Sequence, residues 1–187
     1  MSLFNLKNNS QNKGLRGFTL VETLVAIAIL MIAIAGPLTI ASKGLTAATY
    51  AKNQVIASFL AQDLIEYVKS QEVNLGFDNF LSQFDEGSIA CTFEADECNI
   101  DTTDSAANLD RDNDGQLYFS PAGGYRPSAS GATISPFRRI FFISNPDGST
   151  LTDLNTDQIK ITVKIFWSTG ILDNELVFES YLFDVLK

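Results

Sequence analysis

Between Gly17 and Ser42 the chain carries one charge, Glu22. Every other residue in that run is apolar, small or hydroxylic. A carboxylate held at the centre of a bilayer costs roughly 2.5–3.5 kcal/mol, and less near the interface. Such a group needs a cation, and the apolar run supplies none. Its partner is expected on another chain, which would make this protein a subunit. A second set of acids has the spacing of a cation loop. Asp110, Asp112 and Asp114 alternate, and Gly115, Gln116 and Leu117 follow. Hard oxygen ligands at that spacing can curl round one Ca2+, and the glycine permits the sharp turn. The closing glutamate of such a loop would fall at Pro121, which cannot ligate, so Asp101 or Asp104 would have to substitute. The competing reading is a β-turn at Asn113–Gly115 with solvated acids.

Other chemistry is sparse. There is no histidine, which removes the commonest general base and transition-metal ligand. Cys91 and Cys98 have six residues between them. A bridge across so short a loop would contribute roughly 2–3 kcal/mol. Two reduced thiols are the alternative, and zinc lacks the ligands it needs. Arg138 and Arg139 are adjacent on a strand pattern and should point to opposite faces, which argues against a joint anion clamp. Strand-edge solvation or pairing with an acidic neighbour is expected for them. Trp167 and the many phenylalanines read as core.

These residues must be positioned by few elements. Residues 1–17 are polar and basic, with Lys7, Lys13 and Arg16 and no acid. Thr23–Ser42 then gives an uncharged run that Lys43 closes. As a helix it spans ~30 Å, the thickness of the hydrocarbon layer. Basic residues before the span place residues 1–17 in the cytoplasm and the rest outside. The apolar run passes without a break into an amphipathic pattern. Val55, Ile56, Phe59, Leu60, Leu64, Ile65 and Val68 take one face, and Lys52, Gln54, Gln62, Asp63, Glu66 and Lys69 the other. One long helix is expected from residue 18 to about 72, roughly 80 Å if continuous. Gly36-Pro37 is its strong breaker, where a kink or local melting is expected.

From about Gly76 the pattern turns to short β-type runs between Gly, Asp, Asn, Ser and Pro. Ser88–Phe93 and Gln116–Ser120 are candidate short strands. Phe137–Ser144 is better, and Gln158–Ser168 is best, with Ile159, Ile161, Val163, Ile165 and Trp167 in one phase. Glu175–Val185 follows a turn-rich stretch and should pair with it as an antiparallel hairpin. Residues 95–135 are acidic and then rich in Gly, Ser and Pro, as in a long loop region. A helix stripe needing cover and a sheet needing a lid make an α+β arrangement.

Lys13-Gly14-Leu15-Arg16-Gly17-Phe18-Thr19-Leu20-Val21-Glu22 resembles the processing site of type IV pilins and pseudopilins. The resemblance is close over residues 13 to about 42 and looser through the amphipathic helix. It implies that a prepilin peptidase cuts between Gly17 and Phe18 and methylates the new terminal amine. It implies that Glu22, four residues past the cut, acts in assembly. It also implies a pilin-like fold, in which the second half of the long helix packs on an antiparallel sheet. Gly36-Pro37 resembles the helix-melting proline of major pilins but falls slightly earlier. The implied organisation is a leader at 1–17 that is removed, an 18–42 membrane or filament-core half-helix, a 43–72 amphipathic half and a 73–187 extracytoplasmic domain. The implied partners are other pilin subunits, the membrane, the prepilin peptidase and, indirectly, an assembly platform protein and its ATPase.

The function classes narrow accordingly. The chain has 13 basic and 22 acidic residues, so beyond the three bases of the leader 10 basic residues face 22 acids, a net −12. Phosphates would repel a domain that acidic, so no direct nucleic-acid binding is expected. A histidine-containing triad, a nucleotide loop and an interpretable acid pair are all missing from the sequence, so an enzyme is not expected. A minor pilin of a type IV pilus fits best. A type II secretion or DNA-uptake pseudopilin, and an uncleaved, anchored surface-binding or adhesin module, are the alternatives. Ca2+ is the one cofactor candidate.

Overall fold

A computed structural model describes residues 17–84, 91–92, 98–103, 109–110, 115–128, 130–151, 156–170 and 172–184. The chain divides into two compact units, Met1–Leu45 and Thr46–Lys187. Its elements are α1 (Leu20–Leu75), α2 (Phe77–Leu81) with a 3-10 turn at Ser82–Phe84, β1 (Asn99–Ile100), β2 (Leu109–Asp110), β3 (Gln116–Ser120), β4 (Gly124–Arg126), β5 (Thr133–Ser144), β6 (Gln158–Thr169) and β7 (Leu172–Phe183).

In the first unit, the apolar side chains of α1 from Leu20 to Ile40 are exposed. A helix this long and apolar can cross a membrane. It runs through Gly36 and Pro37 without interruption, so local melting does not occur in this structure. Pro37 withholds one N–H from the ladder. The Thr39 hydroxyl donates to the Ala35 carbonyl at 2.8 Å and the Ser42 hydroxyl to the Thr39 carbonyl at 2.9 Å, back-bonding that keeps these polar groups satisfied within the helix.

In the second unit, α1 buries Ala57, Leu60, Ala61, Leu64, Ile65 and Val68. The expected stripe needs correcting: Val55 and Phe59 are 55% and 65% exposed. At 100° per residue they lie roughly 150–170° from the centre of the buried line. Ala57 and Ala61 lie on the buried line instead, both fully buried. Gly76, at φ 80, follows the last turn of α1, and its N–H donates to the Glu72 carbonyl at 2.8 Å. That left-handed residue ends the helix and lets α2 bury Phe77, Phe80 and Leu81.

The main sheet is antiparallel in the order β4-β3-β5-β6-β7. β6 and β7 form the expected hairpin, paired over twelve residues from Gln158↔Phe183 to Thr169↔Leu172. The β6 residues Ile159, Ile161, Val163, Ile165 and Trp167 are buried, in the phase their alternation required. β5 starts four residues earlier than its apolar run and contains Pro136. The register explains how. Gln116 pairs with Arg138, but Tyr118 pairs with Ile134, so β5 bulges at 135–137. A bulge is where a strand tolerates proline. The Gln116 side-chain amide fills it, donating to the carbonyls of Ser135 at 2.9 Å and Leu117 at 2.7 Å.

Beyond the bulge, the β3 side of β5 would be an open edge. Three separate carbonyls close it. The N–H groups of Arg139, Phe141 and Ile143 donate to Gly115, Cys98 and Cys91 at 2.7, 2.9 and 2.8 Å. Gly115 has φ 75, and a Cβ there would sit 2.7 Å from the Arg139 carbonyl oxygen, so only glycine fits. Cys91 and Cys98 form a disulfide with Cα atoms 5.7 Å apart, and both are fully buried. The bridge thus holds two acceptors beside the central strand. We expect Cys91→Ser to destabilise the domain by about 2–3 kcal/mol. Amide exchange at Phe141 and Ile143 should rise more than at Val163 in the β6 interior. Equal rises at all three would mean that the bridge acts only through global stability.

The strand expected at Ser88–Phe93 falls largely outside the described residues; Cys91 and Thr92 lie outside any strand.

Candidate functional site

Gly17, Phe18 and Thr19 precede α1 outside any helix or strand and are exposed, Phe18 at 76%. A Cβ built on Gly17 meets nothing within 4 Å. Thr19 then starts the helix. Its hydroxyl accepts the Glu22 N–H at 3.2 Å and its carbonyl accepts the Thr23 N–H at 3.2 Å. Thr19 is the N-cap and Glu22 the third helical residue, the spacing of a capping box. A carboxylate in the first turn also meets the positive end of the helix dipole, worth about 0.3–1 kcal/mol. Among the described residues, Glu22 has no ion-pair partner. Its backbone is engaged and its side chain is exposed, about one turn from the Gly17–Phe18 peptide.

The aspartate loop is a different matter. The Asp110 backbone pairs with Asn99 in β1–β2. Its side chain, Asp112, Asp114 and the substitute Asp104 lie outside the described residues. Gln116 is described, and its amide serves the β5 bulge. The Asp101 carboxylate accepts the N–H and hydroxyl of Thr103 at 2.9 and 2.6 Å, closing its own turn.

The two arginines do point to opposite faces. Arg138 lies over the Phe166 ring, 5.5 Å from its centroid. Arg139 is completely buried. Its guanidinium donates to the Ile100 carbonyl at 2.8 Å, to the Leu60 carbonyl and Asp63 carboxylate at 3.2 Å each, and to Asn99 Oδ1 at 3.5 Å. Burial pulls the Arg139 pKa down from its ordinary value, and the charge and hydrogen bond of Asp63 push it back up, with Asp101 adding to the same side. The acidic neighbour is thus present, but the burial was not anticipated. The signal was available: Arg139 shares the alternation phase of the buried Phe137, Phe141 and Ile143. Thr19 was missed too, although Thr19-x-x-Glu22 is a linear pattern.

A family model described as the prokaryotic N-terminal methylation motif matches residues 12–36. No curated protein and no solved structure matches the chain. The matched segment covers the exposed Gly17–Phe18 peptide, the Thr19 cap, Glu22 and the first turns of the apolar helix. A long N-terminal apolar helix, a five-stranded antiparallel sheet and this methylation motif together are consistent with a protein of the type IV pilin family.

Proposed function

We propose that this chain is a structural subunit of an extracytoplasmic filament, a minor pilin of a type IV pilus. Prepilin peptidase removes residues 1–17 by cutting between Gly17 and Phe18, and Phe18 is N-methylated. Residues 18–42 then hold the subunit in the cytoplasmic membrane and later in the filament core, and residues 73–187 form the extracytoplasmic domain. Before the cut, Phe18 contributes a neutral amide nitrogen. After it, Phe18 carries an amine that is mainly cationic at neutral pH. In low dielectric that cation meets Glu22 of a neighbouring, axially staggered subunit. Cleavage therefore licenses assembly. Other pilin subunits are the direct partners, and the platform protein and its ATPase act on the membrane-held form. The role is structural rather than catalytic.

The observation that carries this reading is the register of the motif on the fold. The Gly17–Phe18 peptide, the Thr19 cap and the Glu22 carboxylate, which has no ion-pair partner among the described residues, all fall within residues 17–22 at the start of one apolar helix. A cysteine bridge at the sheet's central strand also suits an oxidising compartment outside the cytoplasm. The direct test is the mass of the amino terminus of the native protein. A species starting at Phe18 and heavier by one methyl group is expected. A species retaining residues 1–17 would mark a plain signal anchor instead.

A further inference from the structure

The five-stranded sheet has two outer edges, and the chain treats them differently. β4 is three residues long, Gly124–Arg126, and shortness is itself a guard against unwanted pairing. The open half of β5 is closed by Gly115, Cys98 and Cys91. β7 has no such device. It runs for twelve residues, Leu172–Phe183, without proline, and its pairing with β6 shows no bulge. Among the described residues, no backbone hydrogen bond reaches its outer side.

The hairpin geometry says which groups are offered. Thr169 and Leu172 close a two-residue turn in which Gly170 has φ 67. The closing pair of such a turn exchanges both backbone hydrogen bonds, and bonded pairs recur at every second residue. The N–H and C=O groups of Leu172, Asn174, Leu176, Phe178, Ser180 and Leu182 therefore serve β6. Those of Asp173, Glu175, Val177, Glu179, Tyr181 and Phe183 point away from the sheet.

The side chains on β7 state what kind of strand would fit. On one face, Leu176 and Phe178 pack on the core but remain half-buried, so apolar side chains on an added strand would finish their cover. On the other face Asp173, Glu175 and Glu179 stand among the exposed Val177, Tyr181 and Phe183. Glu179 is paired with Lys160 at 3.2 Å and Glu175 with Lys164 at 3.5 Å, yet both glutamates stay well exposed. A second copy of this chain is a poor occupant. Each copy carries a net −12 beyond its leader, so two copies repel. We infer that β7 is a docking edge for an extended segment of another protein, one that alternates apolar and basic residues and adds a sixth strand to the sheet. This surface is independent of cleavage and of the Phe18–Glu22 contact.

The test uses the full processed subunit in detergent micelles. The probe is a ten-residue peptide alternating valine and lysine, with blocked ends. A control peptide has the same sequence with every backbone amide N-methylated, which keeps the charge but blocks both hydrogen-bonding edges. With the first peptide, amide exchange at Val177, Glu179 and Tyr181 should slow by about tenfold or more, while Phe178 and Ser180 change little. The control peptide should give no such protection. Val177→Pro deletes an outward N–H without touching the β6 ladder, and should weaken peptide binding by about tenfold at an unchanged unfolding temperature. If that variant fails to fold, the methylated control decides alone. Equal binding of both peptides would reduce the effect to charge attraction and overturn the proposal. So would slow exchange of these amides in the free subunit, or protection that rises with subunit concentration and needs no peptide, since the latter would make a second copy the occupant.

Discussion

Glu22→Ala should leave the subunit exported and cut after Gly17 but absent from filaments. The helix itself has little to lose. Alanine is the better helix former, and the Thr19 hydroxyl still accepts the residue-22 amide, because that bond uses the backbone. Only the favourable dipole interaction goes, about 0.3–1 kcal/mol. The loss falls on the neighbour. A terminal cation brought into low dielectric without its anion carries an uncompensated charge, a cost of about 3–5 kcal/mol. At about 1.4 kcal/mol per factor of ten, filament-borne subunit should drop by at least about a hundredfold against the membrane pool. Glu22→Gln separates the two roles of this residue. Glutamine can complete a capping box but carries no charge. It should fail like alanine. Normal amounts of Glu22→Gln in sheared filaments would show that the cap suffices and that no ion pair crosses between subunits.

The largest effect on stability is expected at Arg139. Arg139→Ala removes a fully buried guanidinium from between α1, β5 and the β1 segment, and takes a donor from the Ile100 carbonyl and from the Leu60 carbonyl, which keeps its place in the helix ladder. An emptied volume and the lost hydrogen bonds together should cost about 3–5 kcal/mol, which for a domain of this size lowers the unfolding temperature by roughly 10–20 °C. Arg139→Met should cost less, since it keeps the stem that packs in the core. Asp63→Asn should cost least. The Asp63 side chain is 54% exposed, so water screens the pair, and Arg139 keeps its carbonyl partners. Thermal unfolding of the three variants should therefore rank alanine, methionine and asparagine in falling order of damage. An Asp63→Asn variant as unstable as Arg139→Ala would place the stabilising force in the charge pair instead.

Much of this molecule could be read from residue order, and the failures share a cause. β6 and β7 were legible because their alternation is long and their turn is marked, and β3 was placed at its observed bounds. The N-terminal methylation motif was legible because it is linear. Features set by contacts between distant segments were not. Arg139 looked like a surface cation because its acceptors lie 39 to 79 residues away. Val55 and Phe59 are bulky and apolar but lie off the buried helical line, on which the small Ala57 and Ala61 carry little sequence signal. Pro136 hid the first part of β5, since the bulge that accommodates it exists only opposite Gln116. Gly115 reads as part of a cation loop in the linear sequence, but its freedom is also demanded by the nearby Arg139 carbonyl.

The half-cystine carbonyls beside Phe141 and Ile143 tie the architecture to geography. In a reducing cytosol the thiols stay apart, and those two amides lack firmly held acceptors. The middle of the sheet is then looser. On the proposed extracytoplasmic placement, oxidation after export would clamp it, and maturation of the domain would be tied to where two sulfur atoms sit.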